Sequence, residues 1–182
     1  MNHEELGDLD EEDSFLKKIS VIVIGVFMIL LLLSYFLTTP AVRNVIIGMV
    51  ESSNLEDDYS MDIGGGNKLI FINSSYIELL NLYDSNLDVE IKACLFGEII
   101  GGDYFISEVV QPVIYSQSYD RVVSAPCSNI SLVSLHSHPH MHCAPSQQDL
   151  ESFSKLKETN PDILMIIMCE EDRFNVYTNV HS

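Results

Sequence analysis

The sequence predicts one α+β domain, a mixed β-sheet flanked by helices, set behind a single transmembrane helix. Three observations lead there. Residues 19–37 are uncharged and almost wholly apolar. Residues 67–182 interleave short β-prone runs with two amphipathic stretches. The length of 182 residues leaves room for one domain plus an appendage.

A hydrocarbon core about 30 Å thick needs about 20 helical residues at about 1.5 Å each, and residues 19–37 fit that requirement. Ser20, Gly25 and Ser34 are small enough for a spanning helix, and Tyr35 and Phe36 stand where interfacial aromatics belong. A cleaved signal has a shorter apolar core, about 7–15 residues, and ends in a small-x-small site. No such site follows, so the run reads as a retained single-pass anchor. Lys17 and Lys18 precede it and Arg43 follows it, which by the positive-inside rule leans towards an inside N-terminus and an outside C-terminal domain.

Residues 1–18 form an acidic N-terminal tail, crowded with Glu4, Glu5, Asp8, Asp10, Glu11, Glu12 and Asp13. Like charge and low hydrophobicity predict disorder there. Residues 38–66 read as a stalk and Gly-rich linker: a helical continuation through Val42, Val45, Ile46, Met49 and Val50, an acidic stretch, and Gly64-Gly65-Gly66 as a flexible hinge. A phosphate loop would continue into Lys-Ser or Lys-Thr, which is absent.

The remaining residues, 67–182, read as the folded domain. Strands are predicted at 69–72, 94–100, 104–110, 132–136, 163–169 and 174–178, with Gly101-Gly102 turning a hairpin. Helices are predicted at 74–82 and 146–159. The net charge of −18 excludes a nucleic-acid partner, which needs a basic footprint, and leaves a protein partner of basic or neutral surface.

The chemistry concentrates in His136-Ser-His138-Pro139 and Pro145-Ser146-Gln-Gln-Asp149. Side chains two apart at a strand end share a face, so both imidazoles can reach one cation. Asp149 falls one turn into the predicted helix and can supply a third ligand. Two His and one carboxylate with an open fourth position make a catalytic zinc site. Ser146-x-x-Asp149 taken alone resembles a helix capping box, and an isolated His-x-His often only decorates a surface. His140 and His142 read as loop histidines.

The full pattern, with Glu90-Ile-Lys-Ala-Cys-Leu-Phe-Gly97 upstream, resembles the JAMM signature of the MPN+ zinc metallopeptidases, in the manner of a prokaryotic or archaeal member carrying an added N-terminal anchor. Ala93 stands where that family has its first glycine. Glu98 and Glu108 are out of register with the motif. The resemblance implies a cytidine-deaminase-like core, one Zn2+ held by His136, His138 and Asp149, Glu90 as general base, and Ser146 as donor to the oxyanion. It implies hydrolysis of an amide at the C-terminus of a ubiquitin-like or sulfur-carrier-type β-grasp protein, with or without a partner subunit. The competing expectation is a catalytically inactive, membrane-tethered MPN scaffold.

No CxxC pair occurs, which excludes a zinc ribbon and a thioredoxin-type motif. A strand–helix–strand unit places the loop holding Cys143 and the strand end holding Cys169 at one rim of the sheet. They are either a disulfide that fixes the loop over the metal or two unrelated thiols.

Overall fold

The computed structural model describes residues 3–39, 42, 46, 48, 50–138 and 143–179. The chain divides into two compact units, Met1–Arg43 and Asn44–Ser182.

The first unit is helix α1 (His3–Thr38). The expected disordered tail is helical from His3 onward. The apolar run behind it already supplies the costly helix nucleus. Within α1, Lys17–Thr38 contains an 18-residue window of mean hydropathy 2.8 and is long and apolar enough to cross a membrane. By length and composition alone, a signal sequence near an N-terminus passes the same test.

The second unit contains β1 (Ser53–Asn54), β2 (Ser60–Gly64), β3 (Asn67–Phe71), α2 (Asn73–Asp84), β4 (Lys92–Ile100), β5 (Asp103–Val110), β6 (Ile114–Ser118), β7 (Arg121–Ser124), β8 (Val133–Ser137), α3 (Gln147–Thr159), β9 (Leu164–Glu170) and β10 (Arg173–Tyr177). Eight strands form one mixed sheet in the order β1-β10-β9-β8-β4-β5-β3-β2. β8–β9 and β3–β5 are parallel and the other neighbours antiparallel. The outermost strands, β1 and β2, come together, so the sheet curls into a nearly closed barrel. β6 and β7 form a separate hairpin.

Two expectations change here. Residues 53–54 and 60–64, expected as linker, are strands of the sheet, and Met61 and Ile63 are buried in the core. The glycine triplet is a tight turn between β2 and β3: Gly64, Gly65 and Gly66 all have positive φ, which glycine adopts without steric penalty. The helical stretch expected near residues 42–50 lies partly outside the described residues. The β6–β7 hairpin was not anticipated.

The core explains the strand patterns. Leu69, Phe71, Leu95, Ile106, Leu135 and Phe174 are fully buried. β9 is buried along nearly its whole length, as suits a strand covered on both faces, and this accounts for its unbroken apolar run. β4 carries a bulge at Phe96/Gly97. A Cβ on Gly97 would strike the Phe105 carbonyl, so the glycine permits that close approach. Two disulfides, Cys94–Cys127 and Cys143–Cys169, use every cysteine. In the second the Cα atoms are 5.3 Å apart. The first was not anticipated.

Candidate metal centre

β8 and β9 run parallel with α3 between them in sequence, and this unit builds the site. His136 lies in β8 opposite Lys92 of β4. His138 follows the strand end, where its N–H donates to the Met168 carbonyl at 3.0 Å. Both histidines are buried, and their ring centroids are 4.9 Å apart. Ser137 points away from them: its hydroxyl accepts from the Ile91 N–H at 3.0 Å. That alternation is the period-two geometry which puts both imidazoles on one side.

Asp149 enters from the first turn of α3. Its Oδ1 is 3.4 Å from His136 Nε2, and its Oδ2 is 3.6 Å from His138 Nε2. One ligand atom from each of the three residues falls within 4.8 Å of the others. These spacings are long for hydrogen bonds. They suit neighbours around a tetrahedral cation, since bonds of about 2.0–2.1 Å separate ligands by about 3.3 Å. His136 Nε2 is buried and has no hydrogen-bond partner. A buried polar atom left so is costly, and a cation between it and Asp149 would satisfy it.

The protonation states agree with that donor set. Burial pushes the His136 imidazole down to about 4, so it is neutral at pH 7. Burial alone would raise the Asp149 carboxyl, but the two histidines and Ser146 hold it well below the usual carboxylate range. Neutral imidazole and ionised carboxylate are the ligating forms.

Ser146 caps α3. Its N–H and hydroxyl donate to Asp149 Oδ2 at 2.7 and 2.6 Å, and its Oγ accepts from the Asp149 N–H at 3.2 Å. The capping box and the metal pattern therefore coexist. The Ser146 hydroxyl is directed at Asp149, leaving Oδ1 as the carboxylate atom towards His136.

Glu90 stands just before β4, buried, with Oε1 3.5 Å from His138 Nε2. Burial pushes its carboxyl up to about 7. Its backbone is clamped by the hairpin: its N–H donates to the Ser118 carbonyl at 3.0 Å, and the Gln117 amide donates to its carbonyl at 2.7 Å. Glu98 and Glu108 lie exposed on the β4–β5 ribbon. Pro139, His140 and His142 lie outside the described residues.

Lys92 and the hairpin residues Gln117 and Ser118 were missed in the sequence. The hairpin had a readable signal, β-prone runs on either side of Tyr119-Asp120. Lys92 had none.

No family model and no curated protein matches the chain. Among solved structures, the solution structure of protein DSY2949 from Desulfitobacterium hafniense matches at 20% identity, with a TM-score of 0.44, over 56% of this chain and 74% of that one. A likeness that low carries no argument about activity.

Proposed function

We propose that the chain is a membrane-anchored, zinc-dependent amide hydrolase of the JAMM type, and that its sheet is the deaminase-like core of that family. The observation that carries this reading is the convergence of His136, His138 and Asp149 on one point beside an unpartnered, buried His136 Nε2. A zinc ion bound there supplies Lewis acidity and lowers the pKa of water towards neutrality.

The chain's own residues supply the remaining steps. Glu90, desolvated and 3.5 Å from His138, has a carboxyl that exchanges protons near pH 7. It accepts a proton from the attacking water and returns one to the leaving amine nitrogen. Gln117 and Ser118 hold its backbone while it does so. Ser146 orients Asp149. To serve also as the oxyanion donor, its hydroxyl must turn away from that carboxylate.

The two disulfides favour an oxidising compartment, which agrees with the anchor orientation that Lys17 and Lys18 suggest. A retained single-pass anchor with the domain outside the cytosol follows from that reading. A β-grasp substrate such as a ubiquitin-like or sulfur-carrier protein is supported by the resemblance alone, and an exported domain would have to meet it outside the cytosol.

The test uses the full chain in detergent. Zinc measured by elemental analysis is expected near one equivalent, and His136→Ala, His138→Ala or Asp149→Ala is each expected to lower it. Glu90→Gln is expected to keep the metal and lose hydrolysis. Full zinc retention in all three ligand variants would overturn the site. Undiminished hydrolysis by Glu90→Gln would move the base elsewhere.

A further inference from the structure

Beside His136 and Asp149 opens a cavity of about 510 Å³, walled by β7 and the segment to Cys127 on one side and by α3 on the other. That volume lies within the range of ligand pockets, about 300–1,000 Å³. Its charge is opposite to that of the molecule. The whole chain carries −18, yet Lys92, Arg121 and Lys155 line this one space. The other cations of the second unit are engaged: Lys68 with Glu56 at 3.1 Å, Arg173 with Glu170 at 3.2 Å, and Lys157 with the Pro161 carbonyl at 2.6 Å. Among the described residues, none of the three cavity cations forms an ion pair.

Lys92 is the most telling. It stands two residues after Glu90, and its ammonium donates to the Ser134 hydroxyl at 2.6 Å; the Asp149 and Glu90 carboxylates attract it from further off, but among the described residues neither pairs with it. A desolvated cation with a neutral partner is destabilising unless something compensates it. The one acidic group lining the space is Asp149, already engaged by Ser146 and the histidines. Val123, Pro126 and Leu156 add apolar walls for an aliphatic stem.

We propose that this cavity is a carboxylate-selective subsite, and that the substrate is a peptide or protein presenting an acidic group beside the bond to be cut. Lys92 is its floor, and Arg121 and Lys155 are the exposed cations at its mouth. The inference rests on the hydrolase reading for the word substrate, but not for the binding itself. The acidity of the chain does not oppose it. At physiological salt the Debye length is about 8 Å, so a ligand inside the cavity is governed by the charges that line it. The subsite accepts the carboxylate of an Asp or Glu side chain or of a free C-terminus.

The experiment measures binding and turnover separately. Zinc-loaded full-length Glu90→Gln protein is titrated by fluorescence anisotropy with a positional-scanning set of peptides. Each position carries Glu or Gln in turn, and each peptide is made as the free acid and as the amide. At one position, or at the C-terminus, the acidic form is expected to bind at least ten-fold more tightly. The Glu/Gln and acid/amide arms tell the two carboxylate sources apart. Arg121→Glu/Lys155→Glu, whose side chains are exposed, is expected to erase that preference with unchanged melting temperature, and Lys92→Gln to weaken it. Equal binding of acidic and neutral peptides, no binding of either, or a preference that survives charge reversal would overturn the subsite. The same peptides are offered to the unaltered protein. Hydrolysis without acidic preference removes the subsite and leaves the hydrolase. Acid-selective binding without hydrolysis removes the hydrolase reading and leaves the subsite.

Discussion

Lys92 faces His136 across the β4–β8 ladder and brings a positive charge into the cavity beside a metal centre that would itself be positive. Burial lowers its ammonium from the ordinary 10.5 to about 8. Below pH 8 the folded and unfolded chains both hold this proton, and the folded state bears the full desolvation penalty. Between pH 8 and 10.5 the unfolded chain keeps a proton that the folded chain has shed, so stability rises with pH. Lys92→Met is therefore expected to be more stable than the unaltered protein at pH 7, by at most about 3 kcal/mol. Loss of the bond to Ser134 subtracts about 1 kcal/mol from that gain. Urea unfolding at pH 7 and pH 10.5 checks this, and the gain should vanish at the higher pH. An identical difference at both values would show that the ammonium is well solvated. His136, His138 and Asp149 were legible in the sequence because strand alternation and helix-turn spacing are local rules. Lys92 was not, because a lysine in a strand declares its neighbours only once the adjacent strands are known.

The loop after β8 is fastened at Cys143 by two elements at once. Cys169 at the end of β9 bridges to it, and the buried Asn175 of β10 donates to its carbonyl at 3.0 Å. Three residues later Ser146 starts α3 and sets Asp149. The loop closed by the disulfide spans 26 residues, which in the chain-entropy model is worth about 3–4 kcal/mol. Cys143→Ser/Cys169→Ser is expected to lose stability of that order and to weaken zinc retention against a chelator. Denaturant titration and competition with a chromophoric chelator measure the two effects. Stability falling with unchanged zinc affinity would show that the bridge staples the fold without positioning Asp149. Most strands of the sheet and both helices of the second unit were readable, since their apolar periods are strong. β1 and β2 were not: Ser53–Asn54 is only two residues long, and Ser60–Gly64 contains Ser, Asp and Gly, poor strand formers whose pairing is decided by the sheet around them.

At the scale of the whole molecule, the apolar helix and the two disulfides make a joint prediction about sidedness. Glu78→Cys puts a thiol on an exposed position of α2. In intact cells it is expected to react with a membrane-impermeant maleimide, while the four native cysteines stay blocked until a reductant is added. Protection of that thiol in intact cells, with labelling after lysis, would place the domain on the inner side and make the disulfides anomalous for their compartment.

The near-closure of the sheet decides which fragments of this chain can be handled in solution. β2 covers the edge of β3, and β1 covers that of β10 at Arg173 and Phe174, so the inner strands offer fewer free backbone groups to another molecule. A fragment begun at residue 67, where composition alone would place the domain, discards both covering strands. It leaves two open edges of the kind that recruit strands from neighbouring chains. Such a fragment is expected to aggregate at concentrations where one begun at residue 51 stays monodisperse, a contrast that light scattering reads directly. The short strands ahead of the glycine turn thus serve as a guard against self-association.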